Sequence, residues 1–117
     1  MANQIREVRH QVRSLSPAQA ELWFTVAADN VTPTAEVRGR VVGPRCPARS
    51  TIEISYPLQR IPFPPDGTEL LTVRVVIPDP SLWTANAPFV YRAHVELWHD
   101  GERIDERQFD VGLRTRA

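Results

Sequence analysis

The side chains best able to do chemistry in this chain are its carboxylates, three histidines, one cysteine and a set of tryptophans. Glu102, Asp105, Glu106 and Asp110 gather near the end of the sequence. Paired carboxylates can share acid–base work when they meet in a cleft. On an extended strand Glu106 and Asp110 share a face but stand about 13 Å apart, so they read as a solvated face and no catalytic pair is assigned. His94 and His99 differ by an odd number of positions and point to opposite faces of a strand. With His10 they read as surface histidines, and no metal site is expected. Ser14, Ser16, Ser50, Ser55 and Ser81 lack a nucleophile-elbow context, and no glycine-rich phosphate loop is present. Cys46 lies in Gly43-Pro44-Arg45-Cys46-Pro47, a turn-like stretch without a neighbouring base, and reads as an incidental loop thiol. Trp23 and Trp98 carry outward parity on their strands. An outward indole marks an interface or a sugar-stacking platform, with cover by a loop or the N-terminal segment as the competing account, weighed most for Trp23. The candidate interaction surface is therefore Arg92, His94, Glu96 and Trp98, with Trp23.

Composition narrows the partners. The chain has 117 residues, 14 basic and 14 acidic, for a formal net charge of zero. Nucleic acid and anionic lipid both reward a basic surplus, and none exists here. All basic residues are arginines spread from Arg6 to Arg116, which reads as a compositional bias. One cysteine allows no internal disulfide. The N-terminus has no apolar signal core and no run is long enough to span a membrane, so a cytoplasmic protein is expected. Asn30-Val31-Thr32 fits a glycosylation pattern that Pro33 disfavours. No cofactor is expected.

These residues must be positioned by strands. Period-two alternation predicts about seven of them. The first, about 4–13, does not alternate and reads as a bulged edge strand. The second, about 20–29, aligns Leu22, Phe24 and Val26. The third, about 34–42, aligns Ala35, Val37, Gly39 and Val41. The fourth, about 50–56, aligns Ile52, Ile54 and Tyr56. A proline-rich connection, 57–67, is excluded from a sheet interior. The fifth, about 68–77, aligns Leu71, Val73, Val75 and Ile77. The sixth, about 89–98, aligns Phe89, Tyr91, Ala93, Val95 and Leu97. Asp100-Gly101 joins it to the seventh, about 102–112, through a tight hairpin. Ser16-Pro17 allows one helical turn at most. Strands with one apolar face each need a second sheet to cover them. The expected fold is all-β: a single immunoglobulin-like antiparallel sandwich over residues 1–117, without a disulfide, with Tyr91 placed to form a tyrosine corner.

The stretches Pro78-Asp79-Pro80-Ser81-Leu82-Trp83, Pro88-Phe89-Val90-Tyr91 and Gly112-Leu113-Arg114 resemble the end of the immunoglobulin-like domain of glycoside hydrolase family 2, the β-galactosidases, β-glucuronidases and β-mannosidases. The resemblance is specific over residues 75–114 and one of strand spacing over 20–75. Leu113 replaces the family's usual aromatic, and Phe89-Val90-Tyr91 is one residue longer than its typical Leu-Tyr pair. The resemblance implies that Trp83 packs against the sandwich end. It also implies that the catalytic carboxylates, which retaining hydrolysis needs about 5 Å apart, sit in a barrel beyond this chain. The protein is accordingly expected to be no enzyme but an interaction or scaffolding domain that binds protein, either itself or a partner subunit. The alternative is a small carbohydrate-binding module using Trp23 and Trp98. Met1 and the C-terminal tail read as those of a complete gene product.

Overall fold

The structure is a computed structural model, and it describes residues 4–29, 35–47, 50–60 and 71–114. The glycosylation pattern at 30–33, residues 61–67 of the proline-rich connection and the start of the fifth predicted strand at 68–70 lie outside the described residues. Eight strands form: β1 (Gln4–Leu15), β2 (Gln19–Asp29), β3 (Ala35–Arg45), β4 (Ile54–Pro57), β5 (Gln59–Arg60), β6 (Leu71–Pro78), β7 (Val90–His99) and β8 (Glu102–Val111). They make two antiparallel four-stranded sheets, one ordered β1-β2-β6-β5 and the other β4-β3-β7-β8. This is the immunoglobulin-like sandwich, with the chain changing sheets between β4 and β5.

The core follows from alternation. Leu22, Phe24 and Val26 of β2, Val73, Val75 and Ile77 of β6, and Tyr91, Ala93, Val95 and Leu97 of β7 are all buried and pack in one cluster. Ile5, Ala20, Ala35, Val41, Val111 and Leu113 complete it. Each such side chain removes its apolar surface from water, a gain of about 1.5–3 kcal/mol for the larger aliphatics and aromatics.

β1 is a bulged edge strand. Its register with β2 shifts between Ile5 and Glu7 and again between Val12 and Ser14. Each extra residue restores parity, so Ile5, Val8, His10, Val12 and Leu15 all face inward despite their uneven spacing. Ser16 starts no helix. Its amide donates to the Gln19 carbonyl at 2.9 Å, and its hydroxyl accepts the amides of Ala18 and Gln19 at 3.2 Å each, making the β1–β2 turn. Asp100 and Gly101 both have positive φ, 50° and 82°, the geometry of the type I′ turn that Asp-Gly favours.

The fourth predicted strand is corrected. β4 begins only at Ile54. Ile52 precedes it and is 86% exposed, and Ile54 is 50% exposed; only Tyr56 of the three packs against the core. Pro57 belongs to β4 and Gln59-Arg60 pair with β6, so the connection is less of a loop than its prolines predict. Both are edge strands, where a missing amide donor is tolerated. Gly43-Pro44-Arg45 continues β3 past an irregularity, and Cys46 follows the strand end as a buried free thiol.

Candidate interaction surface

On β7 the alternation is strict, and Arg92, His94, Glu96 and Trp98 all face out from the sheet β4-β3-β7-β8. Opposite them on β3 stand Val42, Arg40, Arg38 and Glu36, and on β8 Asp110, Gln108, Glu106 and Arg103. The face is polar and largely self-paired. Arg92 meets Asp110 at 3.1 Å, Arg103 meets Glu96 at 3.4 Å and Glu106 at 3.5 Å, and Arg38 pairs with Glu36. His94 is held below the ordinary histidine range, first by burial and then by Arg40 and Arg92; Glu106 and Glu96 oppose this more weakly.

Trp98 is half-buried. Its indole N–H donates to Glu96 at 3.0 Å and the Arg38 guanidinium lies 4.3 Å from its ring centre. Trp23 has the same surroundings on the other sheet. Its N–H donates to Glu21 at 2.6 Å, Arg13 lies 4.3 Å from its ring centre, and Arg74 approaches Glu21 at 3.9 Å. Glu-Leu-Trp occurs twice, at 21–23 and 96–98, each time on an inner strand of its sheet with the leucine in the core. That repeat was legible in the sequence and is the signal that alternation alone overlooks. The carboxylate satisfies the indole and the arginine covers the ring, a cation–π contact.

The structure brings Arg92, His94, Glu96 and Trp98 into one strip. It does not bring Trp23 to them: Trp23 faces out from the opposite sheet, beside a depression of about 470 Å³ lined by Glu7, Arg9, Gln11 and Thr25 among others. His10 is exposed, as expected, but its ring stacks on Phe109 at 5.7 Å and leans on Phe24 at 6.3 Å, on the side where β1 meets β8.

The closing motifs meet in space. The Trp83 amide donates to the Leu113 carbonyl at 2.7 Å, Trp83 bridges Pro88, and Arg114 lies 3.8 Å from the Trp83 ring centre. The Ser81 amide donates to the Tyr91 hydroxyl at 2.9 Å, forming the tyrosine corner.

A sandwich finished in this way defines the class: an immunoglobulin-like accessory domain. The model of Glycosyl hydrolases family 2 matches residues 4–114, and the chain belongs to that family. Among solved structures, a β-glucuronidase of Bifidobacterium dentium superposes with a TM-score of 0.67 at 18% identity, covering 97% of this chain and 19% of that one. A glycosyl hydrolase family 2 member from Bacteroides cellulosilyticus DSM 14838 gives 0.64 at 20% identity, covering 95% and 15%. A β-glycosidase from Bacteroides vulgatus gives 0.63 at 14%, covering 96% and 13%. The chain thus spans a fifth or less of the length of these structures. No curated protein matches it in sequence. An eight-stranded β/α barrel needs roughly 200 residues or more, so the 117 residues hold the sandwich and not the barrel.

Proposed function

We propose that this chain is a non-catalytic docking domain that binds protein, either a second copy of itself or a partner subunit. The observation that carries the reading is the flank of β4. Among the described residues β4 pairs with β3 alone, and Ile52 and Ile54 stand in water beside it. An unpaired strand edge with exposed apolar side chains is a template for association. The strip Arg92, His94, Glu96, Trp98 lies on the outer face of the same sheet and offers a polar rim. This sandwich is a small part of each of the much longer similar structures, which favours an accessory role. Light scattering after size exclusion, with pull-down by the tagged chain, tests it. A dimer or a retained protein is expected, and it is lost in the double variant Ile52→Asp, Ile54→Asp, whose exposed positions leave the fold intact. A strict monomer that retains nothing overturns the reading.

A second reading, contact with carbohydrate, is supported by the depression beside Trp23. It uses one ring rather than two, since Trp23 and Trp98 face opposite ways. Its test is the tryptophan fluorescence of the Trp98→Phe variant on adding oligosaccharide. A shift that Trp23→Phe abolishes supports it, and an unchanged spectrum ends it.

A further inference from the structure

We propose that Arg40 and His94 form a binding site for a carboxylate side chain presented by a protein partner. The inference rests on the docking reading above and names the chemistry of the contact. Arg40 of β3 stands directly opposite His94 of β7, and Gln108 of β8 stands opposite His94 on its other side. All three have outer-face parity, so the sheet sets a guanidinium, an imidazole and an amide in one row. Neighbouring strands lie about 4.8 Å apart, a spacing that one carboxylate bridges with an oxygen toward each of two strands.

Charge selects Arg40 from the other cations of this face. Arg38, Arg92 and Arg103 are each neutralised by a carboxylate. The Arg40 guanidinium is exposed and makes no ion pair or hydrogen bond among the described residues. One uncompensated charge suits a single carboxylate; a polyanion such as nucleic acid draws on a basic excess that a chain of zero formal net charge lacks. Position joins the site to the docking edge. Arg40 is level with Pro57 at the end of β4, while Ile54 is level with Gly43. Three residues along a strand is about 10 Å, and the odd spacing gives Ile54 inner-face and Arg40 outer-face parity, so a partner that wraps the free edge of β4 meets both.

The imidazole completes the site by taking up a proton. Facing His94 are Arg38 and Arg40 from β3, Arg92 and Glu96 on its own strand, and Glu106 and Asp110 from β8. Unliganded, burial and the arginines favour the neutral ring. A carboxylate above Arg40 offsets them and favours imidazolium, which then donates to it.

The experiment is an NMR titration of the histidine ring protons of the whole chain with N-acetyl-glutamate amide, with N-acetyl-glutamine amide and inorganic phosphate as controls. The glutamate probe is expected to shift the His94 signals saturably and to raise the pH at which they titrate, while the glutamine probe leaves them in place. Arg40→Gln is expected to weaken the response at least about tenfold, as loss of a charge-assisted hydrogen bond does. Arg38→Gln, already paired, should leave it within about twofold. Equal shifts with the glutamine probe, equal or tighter binding of phosphate, or an unchanged response in Arg40→Gln overturns the proposal. The probe reads the isolated chain, so its failure is separate from that of the docking reading. A strict monomer without partner ends the docking reading whatever the probe does, and a silent probe with a dimer intact ends only the carboxylate site.

Discussion

The Asp105 carboxylate on β8 accepts the backbone amide of Ile5 on β1 at 2.8 Å, joining residues a hundred positions apart. Arg107 completes the clasp, donating to the Ile5 carbonyl at 2.6 Å and to Asp105 at 3.0 Å. β1 and β8 are edges of different sheets, and both charged side chains sit at inward-parity positions of β8. They close one side of the sandwich and place charge where an edge would otherwise invite another strand.

Asp105→Asn should lower stability by about 1–3 kcal/mol, the cost of weakening hydrogen bonds to a charged group. Desolvation raises the Asp105 pKa, but the Ile5 and Glu106 amides and Arg107 outweigh it, and the net direction is down from 3.8. A carboxylate with a depressed folded pKa stabilises above its unfolded value and loses that contribution as pH falls through the folded one. The gap between wild type and variant in urea melts should therefore hold above about pH 4 and close in stronger acid. A gap that is constant with pH would mean that the charge of Asp105 does nothing.

Removing the tyrosine corner is the second test. Tyr91 is buried and its hydroxyl accepts the Ser81 amide at 2.9 Å. Tyr91→Phe keeps the ring and should cost about 1–2 kcal/mol in chemical denaturation. Tyr91→Ala also opens a cavity and should cost about 3–5 kcal/mol.

Gly39 should refuse any side chain. Its φ is +150°, and a Cβ there would stand 1.9 Å from the His94 carbonyl oxygen. Neither backbone can yield without breaking the β3–β7 ladder. Gly39→Ala should cost on the order of 3 kcal/mol or more and appear as loss of cooperative unfolding or of soluble expression. Asp100→Ala, in a turn where only φ is at issue, should cost less.

His94 should titrate below the ordinary histidine value in the free protein. Burial is the first cause and the Arg40 and Arg92 charges follow, so Arg40→Gln and Arg92→Gln should each move the NMR titration upward. Because the folded pKa is depressed, the contribution of His94 to stability is full above about pH 6.5 and declines as pH falls through the folded value.

Much of this fold was legible because side chains alternate along a strand. Leu22-Phe24-Val26, Val73-Val75-Ile77 and Tyr91-Ala93-Val95-Leu97 read as inward faces from spacing alone, and they are the core. Alternation also placed Arg92, His94, Glu96 and Trp98 on one outer face. It failed where parity is broken or cover is missing. The bulges of β1 hide a continuous inner face behind uneven spacing. Ile52 and Ile54 have the pattern of a buried strand, but they stand at an edge with nothing described over them.

By itself, then, the sequence determined which residues turn in and which turn out, the Asp100-Gly101 hairpin and the family, because these depend on local backbone geometry and short motifs. Tertiary structure alone decided which strands share a sheet. Parity is the same on either sheet, so Trp23 and Trp98 look like a pair along the chain and lie on opposite faces of the sandwich. The same assembly left Arg40 without a counter-charge among the described residues beside His94 and clasped Ile5 to Asp105. Both arrangements exist only once strands distant in sequence are laid edge to edge or face to face.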